Sequence, residues 1–247
     1  HIDDYLKCVR LEPMYRLQFA DKRLEPTTNR EAMLQQLELN FPGSSGGYDR
    51  FMAVERERFR RMAPCLQKDY GSIWQYFSKG MRHALPKLSI GRSLFNVLGD
   101  YFGDDEKLKL SFTFQSKYLG MSAWDCPGAF AILPYVEHAF GVYHVQGGLS
   151  EISEAMAKVC RELGVNLRLG SPVKQLVLEG RRVRGVELAS GEKILADETV
   201  LNADFGYAMK HLVPPGTLRK YSPEKVDARE YSCSTFMLPL PENCVAE

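Results

Sequence analysis

The sequence predicts an α+β fold, in which a mainly helical, aromatic-rich first part precedes a part that mixes helices with strands. Two observations lead to this prediction. Between about residues 28 and 114, apolar side chains recur mostly at helical spacing. After residue 148, one amphipathic helix precedes short β-branched segments separated by glycine turns, which is typical of a small antiparallel sheet. The change falls within residues 142–148.

Composition sets limits on the class of protein. The 247 residues are 45% hydrophobic and 26% charged, ordinary values for a globular chain with a buried core. A formal net charge of +1 gives no reason to expect a nucleic-acid partner. No uncharged apolar run of transmembrane length occurs, and the first residues do not resemble a signal peptide.

The cysteines are scattered and form no C-x-x-C pair, so they predict reduced thiols in a cytoplasmic protein rather than a disulfide framework. The histidines show no zinc-binding spacing, and no metal site is predicted. Neither a hydrolase nucleophile elbow nor a Walker loop is present. Glu137 and His138 are interpreted as a surface pair, and no catalytic residue can be named.

The first part begins with a predicted hairpin, in which alternating residues around Leu17 lead to a turn at Asp21-Lys22. Thr28 and Glu31 have the spacing of a helix capping box. A second, charged amphipathic helix is predicted around Phe51, with its ionic residues, Glu55 and Arg58 included, mostly on the solvent side.

Residues 77–97 interleave lysine, arginine and histidine with apolar side chains. Such a segment can lie on an anionic membrane surface, which would make the protein a peripheral membrane protein. The same pattern also suits a helix pair that packs on the core with a solvated basic face. Pro86 interrupts any single long face and favours this second interpretation.

The second part is predicted to start with an amphipathic helix from Leu149 to Leu163, closed by Gly164. Strands are predicted after it at Val165–Leu169, Val173–Leu178, Val183–Leu188, Thr199–Leu201 and Ser234–Leu238.

The double glycine Gly147-Gly148 directly before this helix is the strongest candidate site. Glycines at a strand-to-helix junction let a ligand approach the backbone, and the helix start offers unpaired N–H groups. Paired glycines also occur in plain turns, so the pattern alone leaves both interpretations open. Glu151 and Glu154 disfavour a phosphate at this helix end, whereas a neutral flavin ring or a hydrophobic substrate would suit it.

The order of the later segments resembles a known family. A helix, Ser171-Pro172-Val173, a hairpin, Gly191-Glu192-Lys193 and Asn202-Ala203-Asp204 follow one another. This order is similar to the second FAD-domain segment of the phytoene desaturase and flavin amine oxidase superfamily. The preceding Phe112–Met121 segment and Tyr135 resemble the carotenoid desaturase branch.

The resemblance implies a cofactor, FAD, and a set of residues around it. Gly147 and Gly148 would approach the flavin, the backbone of Val173 would contact adenine, and Asn202 and Ala203 would line the nucleotide. Aromatic residues would line an apolar substrate tunnel or, equally, form core: Phe112, Phe114, Tyr118, Trp124 and Tyr135. His144-Val145-Gln146 departs from the proline that relatives usually carry before the double glycine.

The resemblance also implies a division of the chain. Residues 1–140 would form a helical substrate domain, 141–210 part of the FAD-binding domain, and 211–247 a return into the substrate domain. The family's G-x-G-x-x-G loop is absent from the sequence, and Gly43-Ser44-Ser45-Gly46-Gly47 is no substitute for it. We therefore expect an internal fragment that binds FAD weakly and is inactive by itself.

The expected activity is FAD-dependent removal of hydride from a long hydrophobic isoprenoid, or its isomerisation. Two alternatives remain at this point. One is a flavin amine oxidase-like enzyme with a small polar substrate, and the other is a non-catalytic binding module derived from the same family.

Overall fold

The computed structural model describes residues 1–180 and 182–232. These residues form two compact units: unit 1 comprises residues 1–153 with Ser232, and unit 2 comprises residues 154–231. Helices and small antiparallel sheets are both present, so the predicted α+β class is confirmed. The predicted functional division into 1–140, 141–210 and 211–247 stays a prediction.

Unit 1 is mainly helical. Its helices are α1 (Arg30–Asn40), α2 (Ser45–Leu66), α3 (Lys79–Ala84), α4 (Leu94–Phe102), α5 (Glu106–Leu110) and α6 (Ile132–Phe140). Short 3-10 turns occur at Ile73–Phe77, Leu85–Lys87, Phe114–Leu119 and Gly128–Ala131. The α2 helix packs against α3, α4 and α6, and its central position organises the unit.

An aromatic cluster forms the core of unit 1. Phe51 of α2 and Phe112 are fully buried, with ring centroids 5.2 Å apart and the planes at 66°. The Phe51 ring also meets Tyr101 edge-on at 5.5 Å. Burying each phenylalanine contributes about 2–3 kcal/mol through the hydrophobic effect, so this cluster is a main source of stability.

The start of α1 differs from the predicted capping box. Asn29 is the N-cap, and its side-chain oxygen accepts a hydrogen bond from the Ala32 amide at 3.1 Å. The Thr28 hydroxyl instead accepts a hydrogen bond from the Arg10 guanidinium. The predicted Thr28–Glu31 box is therefore wrong by one residue, because an asparagine can cap as well as a threonine.

The α2 helix buries two residues that were expected to face solvent. Glu55 is fully buried, and its Oε2 lies 3.1 Å from Nε of Arg58. The Tyr101 hydroxyl donates to Glu55 Oε1 at 2.7 Å, and Arg58 Nη1 donates to the Gly128 carbonyl at 2.8 Å. These partners come from distant segments, so the helix pattern alone could not predict them. Burial raises the pKa of the Glu55 carboxyl.

Two short antiparallel pairs complete unit 1. Strand β1 (Cys8–Arg10) pairs with β4 (Tyr143–Val145), with Cys8 opposite Val145. The predicted hairpin is confirmed as β2 (Leu17–Gln18) against β3 (Arg23–Leu24). The β1–β4 pair brings the beginning of the chain to the segment that leads into the double glycine.

The predicted helix after the double glycine is confirmed as α7 (Ser150–Glu162), which contains the boundary between the units. Gly164 follows it with φ +78°, and its amide donates to the Arg161 carbonyl. Unit 2 also contains α8 (Phe205–Tyr207), a π-helical turn at Ala208–Leu212, and α9 (Pro223–Asp227).

Unit 2 carries an antiparallel sheet in the order β5 (Val173–Glu179), β6 (Arg182–Leu188), β7 (Lys193–Leu195). The predicted strands at Val173 and Val183 are therefore confirmed, and β7 was not foreseen. Gly185 of β6 has φ +143°, and a Cβ there would lie 2.0 Å from the Ile194 carbonyl oxygen. Only glycine fits this strand contact.

Two predicted strands are wrong. Residues 165–169 and 199–201 form no regular structure, and several of their apolar side chains are exposed, Leu169 by 82% and Val200 by 91%. A strand needs a hydrogen-bonded neighbour, and neither segment has one within the described residues. The predicted strand at 234–238 lies outside the described residues.

Candidate functional site

The double glycine lies in a turn between β4 and α7. Gly147 has φ +90° and Gly148 φ +99°, values that other residues rarely adopt. The Gly148 amide donates to the Val145 carbonyl at 3.0 Å, and the Glu151 amide donates to the Gly148 carbonyl at 3.2 Å. The backbone is thus tightly wound here, and its shape depends on both glycines.

The space beside the two glycines differs. A Cβ on Gly148 would meet no atom within 4 Å, whereas one on Gly147 would meet Cγ of Glu151 at 2.9 Å. Gly148 therefore has open space beside its backbone, and Gly147 lies against the Glu151 side chain. That carboxylate in the first turn of α7 opposes a phosphate at the helix start, while a flat neutral ring can approach the backbone.

The other predicted cofactor residues lie in unit 2. Val173 is half-buried at the start of β5, opposite Leu188. Asn202 and Ala203 are exposed and lie outside regular structure. The following Asp204 caps α8, because its Oδ1 accepts a hydrogen bond from the Tyr207 amide at 2.7 Å. The Asn-Ala-Asp sequence is therefore an exposed turn that a helix cap holds in place.

The predicted substrate aromatics separate into buried and exposed residues. Phe112 and Tyr135 are buried, at 0% and 4% exposure. Tyr118 is 63% and Trp124 59% exposed, and Trp124 stacks on Phe95 at 5.0 Å. Phe114 is half-buried, and its ring lies 6.3 Å from that of Tyr118. Tyr118 and Trp124 are therefore the members of this set that present most surface to a ligand.

Glu137 accepts several hydrogen bonds that the sequence did not reveal. Gln115 Nε2 donates to its Oε2 at 2.6 Å, and the hydroxyls of Tyr15 and Tyr118 approach its carboxylate at 3.1 and 3.4 Å. Burial and the nearby Glu137 charge raise the pKa of both phenols, Tyr15 and Tyr118. This network ties the predicted substrate residue Tyr118 to α6.

His138 is a core residue, so its interpretation as half of a surface pair is wrong. It is 3% exposed and stacks on Phe112 at 5.1 Å, and its Nδ1 lies 3.1 Å from the Tyr48 hydroxyl. Burial lowers the pKa of this imidazole to about 3, so the ring is neutral. Its spacing from Tyr135 on α6 placed it on the buried face, and that spacing was the available signal.

Within residues 1–180 and 182–232, no group of histidine, cysteine and acidic side chains has the arrangement of a metal site. Over the same residues, no helix combines the length and apolar character needed to cross a bilayer.

Comparison with known proteins identifies the family. The sequence profile of the flavin containing amine oxidoreductases matches residues 4–234, nearly the whole chain. The chain belongs to this family. Its members are flavoproteins, so a flavin is the cofactor to consider at the open turn of Gly148.

Several relatives within this family are carotenoid desaturases. The chain is 48% identical over 238 residues to a 4,4'-diapophytoene desaturase (4,4'-diapolycopene-forming) of Methylomonas sp, with 96% of this chain and 46% of the relative covered. It is 34% identical to a zeta-carotene-forming phytoene desaturase of Myxococcus xanthus, covering 97% and 46%. A phytoene desaturase of Neurospora crassa is 30% identical, covering 91% and 39%. The chain thus spans less than half the length of these relatives.

Proposed function

We propose that this chain is part of an FAD-dependent desaturase that removes hydride from a long hydrophobic isoprenoid. The observation that carries the proposal is 48% identity over nearly the whole chain to a diapophytoene desaturase. The open backbone of the double-glycine turn supports the cofactor part of the proposal. The exposed aromatic side chains of unit 1 support the substrate part.

The residues present fit a flavin at the double glycine. Gly148 leaves its backbone face free, and Gly147 keeps the turn narrow by lying against Glu151. The Glu151 carboxylate keeps a phosphate away from the helix start, so the neutral end of FAD is the end that fits here. Within unit 2, we assign adenosine contacts to the half-buried Val173 and to the exposed Asn202 and Ala203.

When bound, FAD supplies the hydride acceptor. The chain contributes binding and orientation. We assign direct substrate contact to Tyr118, Trp124 and the half-buried Phe114. The buried Phe112 and Tyr135 support these residues from the core, and Glu137 fixes the Tyr118 hydroxyl.

A membrane surface is the proposed source of this substrate, because a long isoprenoid dissolves in lipid rather than in water. Residues 73–90 expose large apolar side chains, with Trp74 at 77%, Phe77 at 64% and Ile90 at 74%. Exposed Lys79 and Arg82 lie among them. Aromatic and basic side chains on short helices suit an anionic bilayer surface. This surface overlaps the 77–97 segment and extends it to residue 73.

The two alternatives differ from this proposal in testable ways. An amine oxidase would act on a small polar substrate in solution, and a binding module would hold no flavin. This scaffold supports several reactions, so substrate and flavin content distinguish the three candidates.

The decisive experiment uses the full-length protein with FAD and either 4,4'-diapophytoene or phytoene in phosphatidylglycerol vesicles. New conjugated products, measured by absorbance after chromatography, support a desaturase. Oxidation of benzylamine with no polyene product favours the amine oxidase. Failure to retain flavin after gel filtration favours the binding module.

A glycine pair tests the cofactor site. Gly148→Val should lower flavin retention at least about tenfold, because a side chain fills the open backbone face and strains a positive φ. Gly46→Ala is the matched control, since Gly46 lies in the first turn of α2 with no atom within 4 Å of a built Cβ. Equal flavin content in wild type and Gly148→Val would contradict the assignment.

The membrane surface is tested separately by vesicle flotation. Trp74→Ser combined with Phe77→Ser should reduce flotation with phosphatidylglycerol vesicles, because it removes two exposed rings. Leu39→Ser on α1 is the control, because Leu39 is also an exposed apolar residue, at 82%, but lies outside the basic segment. Unchanged flotation of the double variant would show that residues 73–90 do not form the membrane contact.

A further inference from the structure

A cleft in unit 1 lies between α2 and α6, beside the start of α1. Its volume is about 420 Å³, within the range of small-molecule sites. Tyr48, Met52 and Arg56 line it from α2, at the four-residue spacing that puts them on one helix face. Tyr135 and His138 line it from α6.

Two polar groups lie at the buried side of this cleft. Tyr48 is 2% and His138 3% exposed, and the Tyr48 hydroxyl lies 3.1 Å from His138 Nδ1. His138 Nε2 is buried and has no hydrogen-bond partner among the described residues. When Tyr48 donates to Nδ1, Nε2 carries the ring proton and is a donor that lacks an acceptor. Because Nε2 exposes no surface to the cleft, this neutral pair forms the closed floor of the cleft, and the ligand contacts have to come from the other lining residues.

The charges that line the cleft favour an anion. Arg56 is exposed and has no ion-pair partner within the described part of the chain. Asp49 also lines the cleft, but Arg30 binds both of its carboxylate oxygens, at 2.8 and 2.5 Å. Arg10 adds a further guanidinium by donating to the lining hydroxyl of Thr28. Because Arg30 already pairs with Asp49, the charges of Arg56 and Arg10 are left over and would attract an anionic ligand at Arg56.

An apolar wall lies in the same cleft. Met52 and Tyr135 line it, and the 52% exposed ring of Phe140 lies 6.4 Å from that of Tyr135. A charged ligand without an apolar part would leave this wall in water, and a purely apolar ligand would leave Arg56 unused.

We propose that this cleft binds a small amphiphilic anion, an apolar chain or ring that ends in a carboxylate or phosphate. Its head pairs with Arg56, and its body packs on Met52, Tyr135 and Phe140. The proposal stands apart from the proposed dehydrogenation, because it uses neither the double glycine nor a flavin.

The test is calorimetric titration of the full-length protein with decanoate, decyl phosphate and decanol. We expect at least one anion to bind at least about tenfold more tightly than the alcohol, as a charge-assisted pair with Arg56 implies. Preference for decanoate or for decyl phosphate identifies the head group. Equal binding of all three probes, or no binding, would overturn the proposal.

Variants locate the binding. Arg56→Gln should weaken the anion about tenfold, since Arg56 is exposed and its loss leaves the fold intact. Ala53→Trp should block binding by filling the cleft from an exposed lining position. Arg60→Gln, one turn further along α2, should bind normally because Arg60 pairs with Glu57 outside the cleft. Unchanged affinity in both Arg56→Gln and Ala53→Trp would place the probe elsewhere and refute the site.

Discussion

In unit 1 the large apolar residues Phe51, Leu94 and Phe112 are fully enclosed, whereas in unit 2 Leu169, Leu195 and Val200 are 82%, 71% and 91% exposed. Unit 2 does have buried residues, among them Leu188 and Val226. The two regions therefore differ in how completely their large apolar side chains are buried by packing. Unit 1 also exposes large apolar side chains, such as Trp74 at 77% and Ile90 at 74%, but these lie outside its enclosed core.

The largest expected effect is on the free energy of unfolding, and one substitution in each unit compares the two regions. Phe51→Ala should lower the free energy of unfolding by about 3–5 kcal/mol, because it removes a ring packed on Tyr101 and Phe112. Val200→Ala should change it by less than about 0.5 kcal/mol, since Val200 is almost fully exposed. Urea denaturation followed by circular dichroism measures both, and similar losses would abolish the contrast.

The next effect concerns pH and belongs to unit 1. Burial lowers the pKa of His138 to about 3 in the folded state, whereas a histidine in an unfolded chain titrates near 6.5. The unfolded state therefore binds more protons between these values, and the stabilisation present above about pH 6.5 is lost as pH falls. The loss at about pH 5 should be roughly 2 kcal/mol.

His138→Phe removes this pH dependence, because its ring can keep the stacking on Phe112 without a titrating group. We expect the free energy of unfolding of wild type, but not of the variant, to fall by this extra amount between about pH 7 and 5. Parallel pH curves for the two proteins would show that His138 is not the titrating residue.

A smaller loss of stability, confined to unit 2, is expected from a substitution at Gly185. Gly185→Ala places a methyl group against the Ile194 carbonyl and should cost about 1–3 kcal/mol. Hydrogen exchange should accelerate at amides of β6 and β7, while those of α2 and α4 keep their protection. Faster exchange in both units would mean that they unfold together.

The smallest effect tests the start of α1. Asn29→Ala should lower the free energy of unfolding by about 1 kcal/mol, through loss of the bond from the Ala32 amide. Glu31→Ala should change it by less than about 0.5 kcal/mol, because Asn29 rather than Thr28 caps the helix. Thermal denaturation can resolve the order, and a larger loss for Glu31→Ala would favour the capping box.

Local patterns predicted those elements whose cause is local. The helix α7 and the hairpin of β5 and β6 follow from spacing and turn residues within a few positions. Segments 165–169 and 199–201 have apolar residues typical of strands, but a strand also depends on a neighbour that the pattern does not contain. The α+β class was predictable because local spacing determines most of the elements. The complete set of strands was not predictable, because strand formation also depends on a neighbouring strand.

The site was predictable to a different extent. Gly147 and Gly148 were identified because paired glycines at a strand-to-helix junction let a ligand approach the backbone, and the structure shows that both have a positive φ. The Glu55–Arg58 pair and the Glu137 network were missed, since charged residues on amphipathic helices usually face solvent. Their partners come from distant parts of the chain, as Tyr15 and Glu137 illustrate, and one sequence carries no signal for such pairing.

The pairing of β1 with β4 has a consequence for how the protein folds. Cys8 and Val145 close a loop of more than a hundred residues, and the backbone entropy of closing such a loop is about 4 kcal/mol. Contacts of this sequence separation form slowly, whereas the α-helices between them can form from local contacts. The turn at Gly147 should therefore take its final shape late in folding, after the helices of unit 1 have assembled around α2.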